Sequence, residues 1–151
     1  MTFSRLARLT TTEQGSSLVE VAVVLPMLLL ILIGVVDLGR YFYLANEVAG
    51  AAHSGAMYGS QHASDTTNMV NAAKLDAPNV SGLVVNATWG CKCSDGTNPS
   101  VSCTATPSCS TNVVYYSTVK ATANYSALFP WQGIPSPLTL TSSVTMRSNT
   151  Q

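Results

Sequence analysis

The longest apolar run of the chain lies near its N-terminus, over residues 18–36, and Glu20 is the only charged residue within it. As an α-helix this run measures about 28 Å, close to the roughly 30 Å hydrocarbon core of a bilayer. The pattern therefore predicts a membrane-spanning helix that carries one carboxylate near its start.

Small and apolar residues continue the same periodicity beyond the run and predict that the helix extends to about residue 58. Neighbouring backbones can approach closely wherever a helix face carries small side chains. The surface that approaches this face belongs either to another subunit or to the chain's own domain, and the sequence favours neither. The residues of this stripe are Tyr41, Leu44, Ala45, Val48, Ala52, Gly55, Ala56 and Gly59.

A second, shorter helix is predicted after the stripe. Ser64 or Asp65 is suited to cap its N-terminus, and Pro78 cannot continue it. An apolar pattern lies between these two signals. We therefore expect a short helix between the cap and Pro78.

Three later segments, 83–89, 113–125 and 138–146, are rich in β-branched and aromatic residues and predict strands. Alternation in the second segment predicts a sheet buried on one face. The links 91–109 and 129–137 have the composition of loops. The expected fold class is α+β: a long N-terminal transmembrane helix that continues into a small exported domain with an antiparallel sheet of about three to four strands and a disulfide-held loop.

Charge gives the expected orientation. Arg5 and Arg8 precede the apolar run with only Glu13 against them, so the N-terminus should stay in the cytoplasm and the chain after about Asp37 should be exported. The net charge is zero and no basic run occurs, which favours neither nucleic acid nor an anionic membrane surface as a partner. The expected organisation is a cytoplasmic leader at 1–15, a transmembrane and extended helix at 16–60 and an exported α+β domain at 61–151.

All four cysteines lie in the part expected to be exported, where disulfides form and persist. Two disulfides are expected, each contributing about 2–4 kcal/mol by restricting the unfolded chain. Three connectivities are open, although the first two cysteines are so close that each should bond to a later one. Their spacing fits a zinc site poorly, and no metal site is predicted. The candidates are Cys91, Cys93, Cys103 and Cys109.

Glu20 has two interpretations. A membrane-embedded protease that cut between Gly15 and Ser16 would create an amine about 6 Å, or one helical turn, before the Glu20 carboxylate, and the two charges could then pair. Alternatively, Ser17 and Glu20 form a capping box that satisfies free N–H groups of the first turn. Further along the helix, Asp37 and Arg40 are spaced for an ordinary ion pair at the outer membrane boundary.

Residues 13–52 resemble the N-terminus of the TadE family of pilus-assembly proteins. The closing strands resemble those of the family as well, and end in the pair Met146-Arg147. Val21 stands where the major pilins of this system usually carry tyrosine, which implies an accessory subunit. The N-terminal features shared in order are Gly15, Glu20, Leu25-Pro26, Asp37, Gly39-Arg40 and Tyr41-Phe42.

The resemblance implies a pilin-like minor subunit or pseudopilin of a tight-adherence (Flp, type IV) pilus that supports surface attachment. It implies cleavage by a prepilin peptidase at Gly15-Ser16, and as partners other pilin-like subunits, the assembly machinery and the bacterial inner membrane, which the chain would span once before entering an extracellular pilus. No hydrolase, zinc-protease, phosphate-loop or dinucleotide motif occurs, and His53 and His62 lie in no ligand frame. We therefore expect no enzyme activity, cofactor or small-molecule substrate.

An alternative is a secreted or membrane-anchored binding domain with an ordinary signal sequence. The apolar run is longer than the usual signal-peptide core of about 7–15 residues, which disfavours this interpretation. The signal-sequence interpretation predicts a mature N-terminus near residues 45–52.

Overall fold

A computed structural model of the protein describes residues 14–97, 103, 108–129, 133 and 135–148, with side chains described from residue 18 onward. One long helix is followed by a short helix and a three-stranded antiparallel sheet, which confirms the α+β class. Residues 1–13, which hold most of the expected leader and its two arginines, lie outside the described residues. The elements are α1 (Gln14–Gln61), α2 (Thr66–Asp76), β1 (Val84–Cys93), β2 (Val113–Tyr125) and β3 (Leu138–Ser148).

The chain divides into two units, Met1–Val36 and Asp37–Gln151. The described part of the first unit is entirely helical and belongs to α1. The second unit contains the rest of α1, together with α2 and the sheet. The core described below lies wholly within the second unit.

The sheet of the second unit has the order β1-β2-β3, with both neighbouring pairs antiparallel. Its register places Val119 between Ala87 of β1 and Val144 of β3. Successive side chains of a strand point to opposite faces, and alternate residues of β2 from Ser117 to Tyr125 are buried. One face of the sheet is therefore the core face, as the alternation of apolar and polar residues predicts.

The small-residue stripe of α1 packs on this core face. Val48, Ala52 and Ala56 are completely or almost completely buried. A Cβ atom added at Gly55 would lie 3.0 Å from Val119 Cγ1 and 2.9 Å from a backbone oxygen of α2, so the lack of a side chain is what lets these elements approach. Of the two surfaces expected to approach the stripe, the structure shows the chain's own domain.

Helix α2 begins at the predicted cap. The Asp65 side chain accepts a hydrogen bond from the backbone N–H of Asn68 (3.1 Å) and another from the Asn68 side-chain amide (2.6 Å). These bonds favour the ionised carboxylate and hold the pKa of Asp65 below its usual value. Tyr58 of α1 donates its phenolic O–H to the same carboxylate (3.2 Å), which joins the end of α1 to the start of α2.

Two strands are longer than predicted. β1 continues from the predicted end at residue 89 through Cys93, because Cys91, Lys92 and Cys93 stay in register with β2. The expectation that these residues belong to the loop was therefore wrong, and the described loop begins with the turn after Cys93. β3 likewise extends to Ser148.

Candidate functional site

The apolar run forms a helical surface that nothing in its own unit covers. Every residue from 18 to 32 is exposed, and individual side chains reach 72% exposure at Leu18 and 71% at Val23. The helix is long and apolar enough to cross a membrane. A contiguous apolar surface of this extent needs a bilayer or other apolar helices around it, because exposing it to water is unfavourable.

Asp37, the first residue of the second unit, is buried, with only 5% of its surface exposed. Its carboxylate accepts a hydrogen bond from the phenolic O–H of Tyr125 at the end of β2 and another from the backbone N–H of Leu128 (3.0 Å). The Tyr125 hydroxyl also lies 2.8 Å from the Asp37 carbonyl oxygen. The sequence suggested only an ordinary ion pair between Asp37 and Arg40, and the burial of Asp37 and its contact with Tyr125 were not predicted.

The environment of Tyr125 favours its neutral, donating form. Burial, the hydrogen bond to Asp37 and the negative charge of that carboxylate raise the pKa of Tyr125, while the nearby Arg40 acts in the opposite direction. The Tyr41 ring packs edge-on against the Tyr125 ring, with centroids 5.6 Å apart. Tyr125 is thus fixed both by its hydroxyl and by its ring.

Residues 15–57 match the family model described as TadE-like protein. The N-terminal segment is TadE-like. The family is a structural one, associated with tight-adherence pilus assembly. No curated protein and no solved structure matches the chain significantly.

The TadE-like segment begins at the residue expected to precede the cleavage site. Gly15 and Ser16 both lie within α1, and Glu20 is exposed one helical turn after Ser16. Ser17 also lies inside the helix, so it does not occupy the N-cap position that the capping-box interpretation requires. The backbone spacing needed for an amine on Ser16 to approach Glu20 is present.

The same TadE-like segment contains the buried Asp37 and most of the stripe that packs on the sheet. The family match thus extends from the apolar surface into the core of the second unit. The sheet residues that contact α1 in that core, including Tyr125 and Ser117, lie outside the matched range.

Two hydroxyl groups of the sheet bond to the C-terminal part of α1. Ser148 donates to the carbonyl oxygen of Ser60 (2.9 Å), one of the helix carbonyls that have no partner within the helix. Ser117, which is completely buried, donates to the carbonyl of Ala56 at the longer distance of 3.5 Å. These polar contacts were not predicted, because serine in a strand gives no signal of its partner.

The cysteines form two crossed bridges. Cys91 is joined to Cys103, with Cα atoms 5.6 Å apart, and Cys93 is joined to Cys109, with Cα atoms 5.5 Å apart. Each of the first two cysteines therefore bonds to a later one, and the fold contains the expected disulfide-held loop. Both bridges start from the end of β1, so they attach the loop to the sheet.

The histidines lie in α1 and just after it. His62 packs its ring 4.9 Å from the ring of Tyr58, measured between centroids, and His53 is exposed. Among the residues whose placement is described, no group of three or more acidic, histidine or cysteine side chains is arranged to hold a metal ion.

Proposed function

We propose that the chain is a minor, pilin-like subunit that takes part in the assembly of a tight-adherence pilus supporting surface attachment. The observation that carries this proposal is the TadE-like match over residues 15–57, on a helix that exposes a long apolar surface with Glu20 as its one charged residue. In this role the apolar surface anchors the subunit in the inner membrane, with the N-terminus cytoplasmic and the second unit exported. It then packs against other pilin-like subunits.

Processing at Gly15-Ser16 by a prepilin peptidase is part of the proposal. Cutting there leaves the α-amino group of Ser16 one turn before Glu20 on the same helix. In an apolar environment an ammonium group offsets much of the unfavourable burial of a carboxylate. In a subunit interface the Glu20 carboxylate would thus pair with the α-amino group of Ser16, either of its own chain or of a neighbouring chain.

An accessory position in the fibre agrees with Val21, which replaces the tyrosine usual after this glutamate in the major pilins of the system. The second unit is also large relative to the helix that would be packed in a fibre, because it contains a complete sheet with its own core. Both features suit a subunit present in few copies.

An ordinary signal sequence is the competing interpretation, and the packing of α1 disfavours it. Cleavage near residues 45–52 would remove Asp37 and Tyr41, which contact Tyr125. It would also cut through the stripe, in which Val48 and Ala52 are buried. A domain released in this way would lose part of its own core.

The test is the mature N-terminus of the full-length protein, expressed in a host with a tight-adherence system and measured by intact-mass spectrometry of the membrane and sheared-pilus fractions. We expect a start at Ser16 in wild type and an intact N-terminus in Gly15→Ala. Gly39→Ala is the matched control, because a Cβ at that glycine of the same helix meets no atom within 4 Å. We expect it to be processed normally.

Glu20→Ala separates processing from assembly. This variant should be cleaved but should remain in the membrane fraction, whereas wild type should also appear in the sheared fraction. A wild-type chain that keeps Met1 would overturn the processing proposal. A start between residues 45 and 52 would instead support the ordinary signal sequence.

A further inference from the structure

The sheet has a second face, opposite the one covered by α1 and α2. Its side chains come from the alternate positions of each strand that point away from the core; most are exposed or half-buried, and Gly90 and Val114 beside Lys92 are buried. We call it the outer face, and define it by the cross-strand rows from Tyr116 and Arg147 to Asn124 and Thr139, extended on β1 from Asn86 to Lys92. Lys120 at its centre is exposed.

Charge is segregated on this face. Every charged residue of the three strands is basic, and all of them, Lys92, Lys120 and Arg147, occupy outer-face positions. Lys92 places its ammonium nitrogen 5.6 Å from the ring centroid of Tyr116, which holds it over the face. The acidic residues of the second unit all lie in α1, in α2 and its cap, or in the turn after β1: Asp37, Glu47, Asp65, Asp76 and Asp95.

Hydroxyl groups occupy much of the surface between these cations. Thr88, Thr118 and Thr145 lie side by side across the three strands. The hydroxyl oxygens of Thr118 and Thr145 are 2.8 Å apart, so one donates to the other, and a second pair on the same two strands lies 3.4 Å apart. The hydroxyls are thus ordered at the regular spacing of a sheet, about 4.8 Å between strands.

This composition disfavours several classes of partner. Protein interfaces have an apolar core, and membrane insertion needs apolar side chains. Among the described residues of the three strands, the only large aliphatic side chain that is well exposed is that of Val84, at one corner of the sheet. Lipid-binding basic clusters typically contain about 4–8 Lys or Arg residues, more than this face has. Single-stranded nucleic acid is held by several stacking aromatics, and Tyr116 is the aromatic residue at an outer-face position.

We propose that the outer face binds an acidic polysaccharide. Carboxylate or sulfate groups of the polymer pair with the Lys and Arg side chains through charge-assisted hydrogen bonds, and sugar hydroxyls exchange hydrogen bonds with the threonine rows. Lys92 and Lys120 are about 20 Å apart along the strand direction, six residues at about 3.3 Å each, so the ligand is a polymer rather than one sugar. This function goes beyond assembly and requires export of the second unit but not cleavage at Gly15.

The experiment measures binding of the full-length protein in detergent to polygalacturonate and dextran sulfate, with neutral dextran as the matched polymer. We expect binding to both acidic polymers and none to dextran, with affinity falling as salt is raised. Replacing the three outer-face cations together, Lys92→Gln, Lys120→Gln and Arg147→Gln, should weaken binding about tenfold or more, because each exposed pair contributes modestly. Lys74→Gln, which removes an exposed positive charge from α2, should bind as wild type does.

A second variant tests the hydroxyls separately from the charges. Thr118→Val with Thr145→Val keeps the shape and the strand preference of the face, and should weaken binding several-fold with all cations present. Circular dichroism and intact disulfides check that each variant is folded, and Lys120→Gln alone, with a smaller expected loss, replaces the triple variant if that one misfolds.

Three results would overturn the proposal. They are binding to neutral dextran as tight as to the acidic polymers, an unchanged affinity in the folded cation variants, and a loss of affinity in Lys74→Gln as large as in the triple variant. Binding to anionic vesicles or single-stranded DNA but to neither acidic polymer would replace it with a membrane or nucleic-acid partner. Assembly is read separately from the sheared-pilus fraction. Cation variants that assemble but do not bind the polymer would support polymer binding by the outer face. An unprocessed wild type that still binds the polymer would contradict only the proposed pilus function.

Discussion

Tyr125 donates its phenolic hydrogen to Asp37 across 88 residues of sequence, with both the carboxylate and the carbonyl oxygen of Asp37 within reach. Asp37 is the first residue of the second unit, and Tyr125 is the last residue of its central strand. The contact closes the core of that unit at the end where α1 enters it. Its removal should therefore destabilise the second unit.

Tyr125→Phe should lower the free energy of unfolding by about 1–3 kcal/mol, because it removes a hydrogen bond to a buried carboxylate and keeps the ring. Denaturant unfolding in micelles, followed by near-UV circular dichroism, measures the change. Tyr43→Phe, at an exposed tyrosine of the same unit, should change stability little. Equal effects of the two variants would contradict the importance of the Asp37 contact.

The raised pKa of Tyr125 predicts a loss of stability in alkali. A folded-state pKa above the ordinary value of 10.0 stabilises the fold below pH 10 and loses that contribution as the pH rises through the folded value. Wild type should thus lose more stability than Tyr125→Phe between neutral pH and pH values above 10. Parallel pH profiles for the two proteins would count against this prediction.

Gly59→Ala should destabilise the second unit by about 1–3 kcal/mol, as overpacking of a tight core does. The added Cβ would lie 2.7 Å from Ser117 Cβ and 2.9 Å from Met69 Cε, so α1 must move away from the sheet. In Gly39→Ala the added atom meets nothing within 4 Å, and the same substitution should stabilise the helix by about 0.5–1 kcal/mol. Opposite signs in thermal unfolding are expected, and a stabilised Gly59→Ala would contradict the close packing.

The Asp65 cap predicts a loss of stability in acid. A folded-state pKa below the ordinary value of 3.8 stabilises the fold above about pH 3.8, and that contribution disappears as the pH falls through the lowered value. Asp65→Ala should lower the melting temperature at neutral pH, whereas Asp65→Asn should largely preserve it because asparagine also caps helices well. Neither variant should show the loss of stability at low pH that protonation of Asp65 causes in wild type.

Each disulfide should contribute about 3 kcal/mol to the stability of the second unit, since the bridged cysteines are 12 and 16 residues apart. Cys91→Ser with Cys103→Ser and Cys93→Ser with Cys109→Ser test the two bridges one at a time by denaturant unfolding. Peptide mapping without reductant checks the pairing. Peptides linking Cys91 to Cys109 would show that the connectivity is wrong.

Periodicity made much of the fold predictable. The bounds of β2 were predicted as observed, because β-branched and aromatic residues fill its first part and regular alternation follows from Ser117 to Tyr125. The cap of α2 was also predictable, since Asp65 acts on a neighbour only three residues away. The end of β1 was not, because Cys91 and Cys93 lie beside turn-forming residues and only their register with β2 identifies them as strand.

Long-range polar contacts were hidden from the sequence. An acidic residue just after an apolar run suggests a boundary location, and nothing near Asp37 indicates a tyrosine hydroxyl 88 residues away. The pairing of the cysteines likewise depends on which of them the strand brings together, and three connectivities remained open. The segregation of positive charge on the outer face became visible only when the register placed the three strands side by side.

The crossed connectivity of the two bridges has a consequence for proteolysis. The first cysteine bonds to the third and the second to the fourth, so any single peptide bond cut between Cys91 and Cys109 leaves both fragments covalently attached. Pairing of neighbouring cysteines would have allowed one cut in the middle to separate them. A nicked molecule would therefore keep its second and third strands attached until a reductant released them.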